Sequence, residues 1–329
     1  MPAADNPFRE WIRLEQPRVG TRVTHASDEF FAAKERLIQA ADPVFIADKY
    51  DDHGKWMDGW ESRRRRTPGH DFCIIRLGVP GIVRGVDIDT SYFTGNFPPQ
   101  ASIDACVSDE DVPESGWTEI VARTNLEGDA HHFVPVSDRS TWSHLRLNIF
   151  PDGGVARLRV YGEVQADFEA DGGVVDLLAL KNGGRALAAS DEHYGSMHNL
   201  NLPGRGVNMG DGWETARRRG PGNDWVIAAL GRVGVVERVE VDTAHFKGNY
   251  PDRVSVEAAL FEHHQQATAG SDRWKTLLPE TKVSMDQQHY FETELEDVGP
   301  VSHVRMSIYP DGGVSRLRVF GRVAGSAAS

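Results

Sequence analysis

The sequence predicts an all-β protein built from two tandem β-sandwich repeats, residues 1–165 and 189–329, with a connection over residues 166–188. Three observations support this fold class. Blocks of sequence recur in the same order in both halves, apolar residues alternate with polar ones, and turns rich in Pro and Gly separate the alternating segments. A length of 329 residues suits two domains that each bury a core of their own.

The recurring blocks define the two repeats. The longest block, residues 144–162, recurs at residues 303–321 with 13 of its 19 positions identical. Three further blocks recur in the same order: S-D-E at 27–29 and 190–192, D-G-W-E with a triple-arginine run at 58–66 and 211–219, and D-T-x-x-F-x-G-N at 89–96 and 242–249. This shared order excludes chance similarity, and the offsets place extra residues in the first repeat between residues 31 and 58.

Strands are predicted wherever side-chain character alternates with a period of two. Leu145, Leu147 and Ile149 alternate with polar residues, and residues 82–89 show the same period. One helix is predicted over residues 27–40, where an apolar stripe follows a Ser-Asp cap. Four aspartates are predicted to form turns: Asp58 and Asp211 in D-G-W, and Asp152 and Asp311 in hairpins of sequence P-D-G-G.

The charge balance excludes several classes of partner. The chain has 36 basic and 49 acidic residues, a net charge of −13, which disfavours a general nucleic-acid or anionic membrane surface. It has no apolar stretch of membrane-spanning length and no signal-peptide pattern, so we expect a cytoplasmic protein. Its two cysteines, Cys73 and Cys106, lie in apolar segments, which argues against a disulfide framework.

The four paired blocks resemble the allantoicase family, which comprises allantoate amidinohydrolases of purine and allantoin (ureide) catabolism. The resemblance covers residues 27–323 and rests on the joint occurrence of all four blocks in two copies. It implies that each repeat is a jelly roll of the galactose-binding-like kind. It also implies a hydrolase that converts allantoate and water into ureidoglycolate and urea.

An anionic ureide substrate directs attention to the arginine runs. Because a guanidinium matches a carboxylate, we expect Arg65 and Arg218 to bind substrate. Their neighbours Arg64 and Arg217 are further candidates, because alternate side chains of a strand face opposite sides and only some of each run can reach one ligand. A solvated strand face that pairs with carboxylates is the competing interpretation of these runs.

The candidate residues for proton transfer lie in the block where the second repeat differs in sequence from the first. Residues 30–31 are both Phe, whereas the second repeat has His193 and Tyr194 beside Asp191 and Glu192. We therefore predict Glu192, His193 and Asp191 as catalytic, because departure of urea needs a positioned acid and base. Three further residues complete the predicted substrate-binding set: His70, Tyr194 and Asn199.

No local pattern indicates a metal site, a nucleotide loop or a serine nucleophile, so we predict no metal and no cofactor. The predicted partner is the anionic ureide allantoate, with neither nucleic acid nor membrane, and the chain is predicted to form a homo-oligomer. The alternative function is a tandem galactose-binding-like module that binds carbohydrate or another ligand without catalysis. The sequence leaves open which repeat holds the active site.

Overall fold

The computed structural model describes residues 6–8, 11–165 and 173–325. The chain divides at residue 165 into two compact units. Each unit is built almost wholly from antiparallel strands and short 3-10 helices, which confirms the prediction of two tandem β-sandwich repeats.

The described elements of the first unit are the strands β1 (Ile12–Arg13), β2 (Arg22–Ala26), β3 (Tyr50–Asp51), β4 (Gly54–Lys55), β5 (Trp60–Glu61), β6 (Asp71–Asp89), β7 (Gln100–Cys106), β8 (Thr118–Asn125), β9 (His131–Pro135), β10 (Thr141–Phe150), β11 (Gly154–Val155) and β12 (Arg157–Val164). Its 3-10 helices are η1 (Pro17–Val19) and η2 (Lys34–Ile38).

The described elements of the second unit are the strands β13 (Val175–Asp176), β14 (Arg185–Ala189), β15 (Trp213–Glu214), β16 (Asp224–Asp242), β17 (Arg253–Ala259), β18 (Lys275–Lys282), β19 (Gln288–Phe291), β20 (Val301–Tyr309), β21 (Gly313–Val314) and β22 (Arg316–Val323). Its 3-10 helices are η3 (Leu180–Asn182), η4 (Met197–Asn199), η5 (Met209–Asp211) and η6 (His264–Gln266).

One long strand organises each unit. The first part of β6 pairs with β2 and β10, and its second part pairs with β9 and β12. Strand β10 pairs in turn with β7, β7 with β8, and β12 with β1. In the second unit β16 takes the place of β6 and pairs with β14, β20, β19 and β22. A single bent strand therefore contributes to both layers of each sandwich.

The core lies between these layers. Leu145, Leu147 and Ile149 are fully buried, as their alternation predicted. Trp60 and Trp213 are also fully buried, and each indole N–H donates to a backbone carbonyl, at residues 28 and 191 respectively. These hydrogen bonds satisfy the indole's polar atom, so the tryptophans fix the entry of each D-G-W-E block into the core.

The predicted helix over residues 27–40 is wrong, apart from the short 3-10 helix η2. The backbone N–H groups of Phe31 and Ala32 donate to the carbonyl of Glu61 instead of forming helical hydrogen bonds. Cross-strand pairing therefore overrides the local helical pattern in this segment. Leu37 and Ile38 are nevertheless buried, as the apolar stripe predicted.

The connection expected over residues 166–188 contains strands of the second unit. Strand β13 pairs with β22 and strand β14 pairs with β16, as β1 and β2 do with their partners in the first unit. Leu177 and Leu178 of this segment belong to the second core. The second repeat therefore begins before residue 189, and residues 166–172 of the expected connection lie outside the described residues.

The predicted P-D-G-G hairpins are also wrong. Residues 150–154 lead from β10 into β11, which pairs with β5, while β10 and β12 both pair with β6. Asp152 accepts a hydrogen bond from the backbone N–H of Arg65, and Asp311 does the same for Arg218. These aspartates therefore anchor the arginine runs, because their side chains reach across to a distant segment.

Candidate active site

The predicted catalytic block of the second unit forms a loop between β14 and η4. Asp191 accepts a hydrogen bond from the backbone N–H of Ala216 at 2.6 Å. The Glu192 carboxylate accepts from the Ser196 hydroxyl at 3.0 Å and from the backbone N–H of Met197 at 2.7 Å. Both carboxylates therefore hold this loop and the start of η4 in place.

The two aromatic residues of the block point outward. His193 and Tyr194 are exposed, and their rings meet edge to face with centroids 4.4 Å apart. The amide of Asn199 donates to the carbonyls of Gly210 and Gly212, at 3.3 and 3.1 Å. The structure thus brings residues 191–199 together with the D-G-W-E block, and the exposed titratable groups of this segment include His193 and His198.

The arginine runs lie in loops that follow β5 and β15, so the expectation that they alternate along a strand is wrong. Arg65 makes an ion pair with the buried Asp71 at 2.6 Å, and Arg218 makes the same pair with Asp224. Both aspartates also accept from a serine hydroxyl, that of Ser27 in the first unit and that of Ser190 in the second. These arginines therefore pair with the protein's own carboxylates.

Arg64 and Arg217, which directly precede Arg65 and Arg218, are exposed. Within the described part of the chain, neither guanidinium forms a hydrogen bond or an ion pair. Their charges therefore remain available to an anion, unlike those of Arg65 and Arg218.

His70 is the last residue of the loop that carries the first arginine run, directly before β6. Its Nε2 is 3.2 Å from the Asn148 side-chain oxygen, and the Asn148 amide donates to Asp104 at 2.9 Å. Asp104 also accepts from Arg146 at 2.7 Å. His70 is therefore part of a polar network that the sequence did not connect to it.

Glu61 and Glu214 are carboxylates beside the recurring D-T-x-x-F-x-G-N blocks. Asn96 donates to Glu61 at 2.8 Å, and Asn249 donates in the same way to Glu214. Burial raises the pKa of Glu61, which the nearby charge of Asp51 raises further and the Asn96 hydrogen bond lowers. The first unit thus holds a buried carboxyl whose pKa lies above its usual range.

Asp58 and Asp211, predicted as turn formers, are partners of buried arginines. Arg157 donates to the Asp58 carboxylate at 2.9 Å, and Arg316 donates to the Asp211 carboxylate at 2.9 Å. Both guanidinium groups are about 1 % exposed. A buried cation requires a paired carboxylate, so this pair is repeated in both units for a structural reason.

A cavity of about 420 Å³ opens in the second unit, and we call it the charged cavity. Arg205 forms a bidentate pair with the buried Asp242, at 2.8 and 3.0 Å. Gln288 donates to Glu240 at 2.8 Å, and Lys181 lies exposed at the rim. The cavity therefore combines cationic donors with acceptors, which is the chemistry that a small polar anion requires.

In the described part of the chain, no group of three or more His, Cys, Asp or Glu side chains is arranged to hold a metal ion. None of the described helices is long and apolar enough to cross a membrane.

Comparison with known proteins identifies the family. The allantoicase repeat model matches residues 12–165 and again residues 175–324. The chain belongs to the allantoicase family. A probable allantoicase 2 of Burkholderia pseudomallei is 57% identical to this chain over 322 residues, which cover 96% of this chain and 96% of the relative. A probable allantoicase of Pseudomonas aeruginosa is 54% identical over 328 residues, covering 98% of this chain and 99% of the relative.

A solved allantoicase has the same fold. The crystal structure of allantoicase from Saccharomyces cerevisiae matches with a TM-score of 0.81 and 37% sequence identity, over 94% of this chain and 92% of that chain. The family model and this structure both extend over the two repeats, so the jelly-roll prediction holds for each of them.

Sequence reasoning about this allantoicase-family chain missed the charged cavity and the role of the buried arginines. One signal was present, since R-L-R recurs in both long blocks, although the alternation placed its arginines on the polar face of the strand. The cavity itself left no local signal, because Lys181, Arg205, Glu240 and Gln288 come from four separate segments.

Proposed function

We propose that this chain hydrolyses allantoate to ureidoglycolate and urea. The single observation that carries the proposal is the match of the allantoicase repeat to both units, together with 57% identity to a probable allantoicase over nearly the whole chain. The same observation does not favour a tandem carbohydrate-binding module that lacks catalysis.

Replacement of a ureido group at the central carbon of allantoate needs two proton transfers, one to the leaving nitrogen and one from the attacking water. A proton reaches the nitrogen of one ureido group, the C–N bond breaks, and the nitrogen of the other ureido group supplies electrons to form C=N. Water then adds to that carbon and loses a proton, which gives ureidoglycolate. A positioned acid and base typically accelerate such transfers about 10²- to 10⁴-fold.

His193 is the proposed proton-transfer group among the three predicted catalytic residues. Its ring is exposed, and an imidazole has one nitrogen that can donate a proton and one that can accept it. Glu192 and Asp191 already accept hydrogen bonds within their loop, so we assign them the role of positioning it. His193→Phe should then lower kcat, and Glu192→Gln should lower it through displacement of the loop.

A conservative change tests the positioning role of Glu192. The variant Glu192→Asp keeps the charge but shortens the reach to Met197, so it should also lower kcat if positioning is the role. Melting temperatures recorded beside the kinetics identify variants that lose stability generally. Near wild-type kcat in both His193→Phe and Glu192→Gln removes this loop from the mechanism.

The predicted substrate-binding arginines fall into two groups, according to whether they form an ion pair with a carboxylate of the protein. Arg65 and Arg218 are proposed to hold their loops, because Asp71 and Asp224 neutralise them. A substrate-binding role remains a prediction for Arg64, Arg217, His70, Tyr194 and Asn199.

Release of urea from allantoate by the purified full-length chain tests the proposal directly. Carbon-13 NMR of labelled allantoate follows substrate and both products without a coupling enzyme. We expect urea and ureidoglycolate in equal amounts, and activity that persists in excess EDTA, since the proposed steps are proton transfers. Absence of urea contradicts the proposed function, and loss with EDTA that a divalent ion restores contradicts the metal-free prediction.

A homo-oligomer is also proposed, and an exposed aromatic group supports it. Phe45 stacks on Tyr92 with ring centroids 5.7 Å apart, and the Lys55 ammonium lies over both Phe45 and Tyr50. Exposed aromatic groups of this kind are typical of association surfaces. Light scattering measures the mass in solution, and a monomer at all concentrations contradicts the proposal. A cytoplasmic location stays a prediction from the sequence.

A further inference from the structure

The charged cavity of the second unit has donors and acceptors that its own residues leave unused. We propose that it binds a ureido acid, with Lys181 and Arg205 facing the carboxylate and Glu240 and Gln288 facing a ureido group. This inference rests on the proposed function, because allantoate is such an acid, and it specifies where that substrate binds.

The cationic side of the cavity consists of Arg205 and Lys181. Arg205 gives two of its donors, Nε and Nη2, to Asp242, while its Nη1 donates to no described residue. The Arg205 side chain is 53% exposed although Asp242 is fully buried, so the guanidinium faces the opening. The Lys181 ammonium makes no ion pair with any described residue. Lys181 is therefore available to a carboxylate, and Arg205, whose charge Asp242 balances, offers its Nη1 donor.

The acceptor side consists of Glu240 and Gln288. The Gln288 amide donates to one oxygen of Glu240, which leaves the other Glu240 oxygen and the Gln288 carbonyl oxygen unused among the described residues. Glu240 is only 8% exposed. A ureido group presents adjacent N–H donors, and these match two neighbouring acceptors that are held in a fixed arrangement.

Hydrogen bonds hold the segment that leads into Arg205. Asn201 donates to the carbonyls of Leu178 and Gly184, and Arg318 donates to the carbonyls of Leu202 and Gly204. These bonds fix the segment that carries Arg205, which directly follows the 3-10 helix held by Glu192. A volume of about 420 Å³ lies within the range typical of small-molecule sites.

The first unit has different chemistry at the corresponding strand positions. Gln288 pairs with Asp242 in the ladder of the second unit, and His131 pairs with Asp89 at the same place in the first. The His131 ring nitrogen already contacts Asp87 at 2.8 Å as an ion pair. His131 and Asp87 therefore satisfy each other's hydrogen-bonding groups. The proposed ureido-binding pair, Glu240 and Gln288, is thus specific to the second unit.

The probe for this site is hydantoate, a ureido acid with one ureido group, which cannot release urea by the proposed elimination. Calorimetric titration of the full-length chain should show binding that weakens about tenfold in Lys181→Gln and in Gln288→Leu, which corresponds to about 1.4 kcal/mol each. The KM for allantoate should rise by a similar factor with kcat within about twofold. Lys282→Gln, an exposed lysine on β18, is the matched control and should bind as the wild type does.

Arg217→Gln separates this site from the loop that carries the arginine run. If Arg217→Gln weakens hydantoate binding while Lys181→Gln does not, the carboxylate binds at the loop and the inference is overturned. Unchanged KM and unchanged hydantoate binding in both Lys181→Gln and Gln288→Leu overturn it as well. Hydantoate binding that depends on Lys181, in a chain that releases no urea from allantoate, supports the site and contradicts only the proposed function.

Discussion

Replacing Asp211 by alanine should destabilise the second unit strongly, because it removes a carboxylate that pairs with the buried Arg316 guanidinium. Arg316 is 1% exposed and donates to the Asp211 carboxylate at 2.9 Å. Arg316 also donates to backbone carbonyls, including that of Gly204 at 3.1 Å. Removing one partner of a buried ion pair typically costs about 3–5 kcal/mol. We expect a loss in that range for Asp211→Ala and a smaller one for Asp211→Asn.

The matched control is Glu237→Ala, which breaks the exposed pair between Glu237 and Arg322. These side chains are 41% and 57% exposed, so the loss should be about 0–1 kcal/mol. Guanidinium chloride unfolding of wild type and variants, followed by circular dichroism, gives the free energies of unfolding. A loss below about 1 kcal/mol for Asp211→Ala, or one equal to that of Glu237→Ala, refutes the reasoning.

Three further predictions concern pH and the core. A hydrogen bond to Asp87 raises the pKa of His131 to about 9. Protonated His131 therefore stabilises the folded state fully below pH 6.5, and this contribution is lost as the pH rises to 9. The melting temperature advantage of wild type over His131→Gln should shrink across that interval, and a constant difference contradicts the linkage. Burial lowers the pKa of His303 to about 4, so wild type should lose stability from pH 6.5 to 4 more steeply than His303→Gln in parallel melts. Leu147→Ala should cost about 2–5 kcal/mol in denaturant unfolding, since Leu147 is fully buried, whereas the exposed Val107→Ala should stay within about 0.5 kcal/mol.

The candidate site was only partly predictable from the sequence. Local contrast between the repeats directed attention to His193, which the structure leaves exposed. The match of a guanidinium to a carboxylate selected Arg65 as a ligand for substrate, although its charge is balanced by Asp71, six residues further along the chain. Residue type indicates what a side chain can bind. Whether that side chain is already occupied depends on partners that only the folded chain brings near.

The sequence by itself determined the repeated all-β architecture and the family. Alternation along a strand and recurrence of whole blocks are local properties, and backbone geometry converts them directly into sheets with one buried face. The pairing of Asp58 with Arg157, across 99 residues, and the assembly of the charged cavity from four segments were decided by the tertiary structure. The physical reason is that such contacts depend on strand register and on the burial of charge, and both are set by the packing of the whole unit.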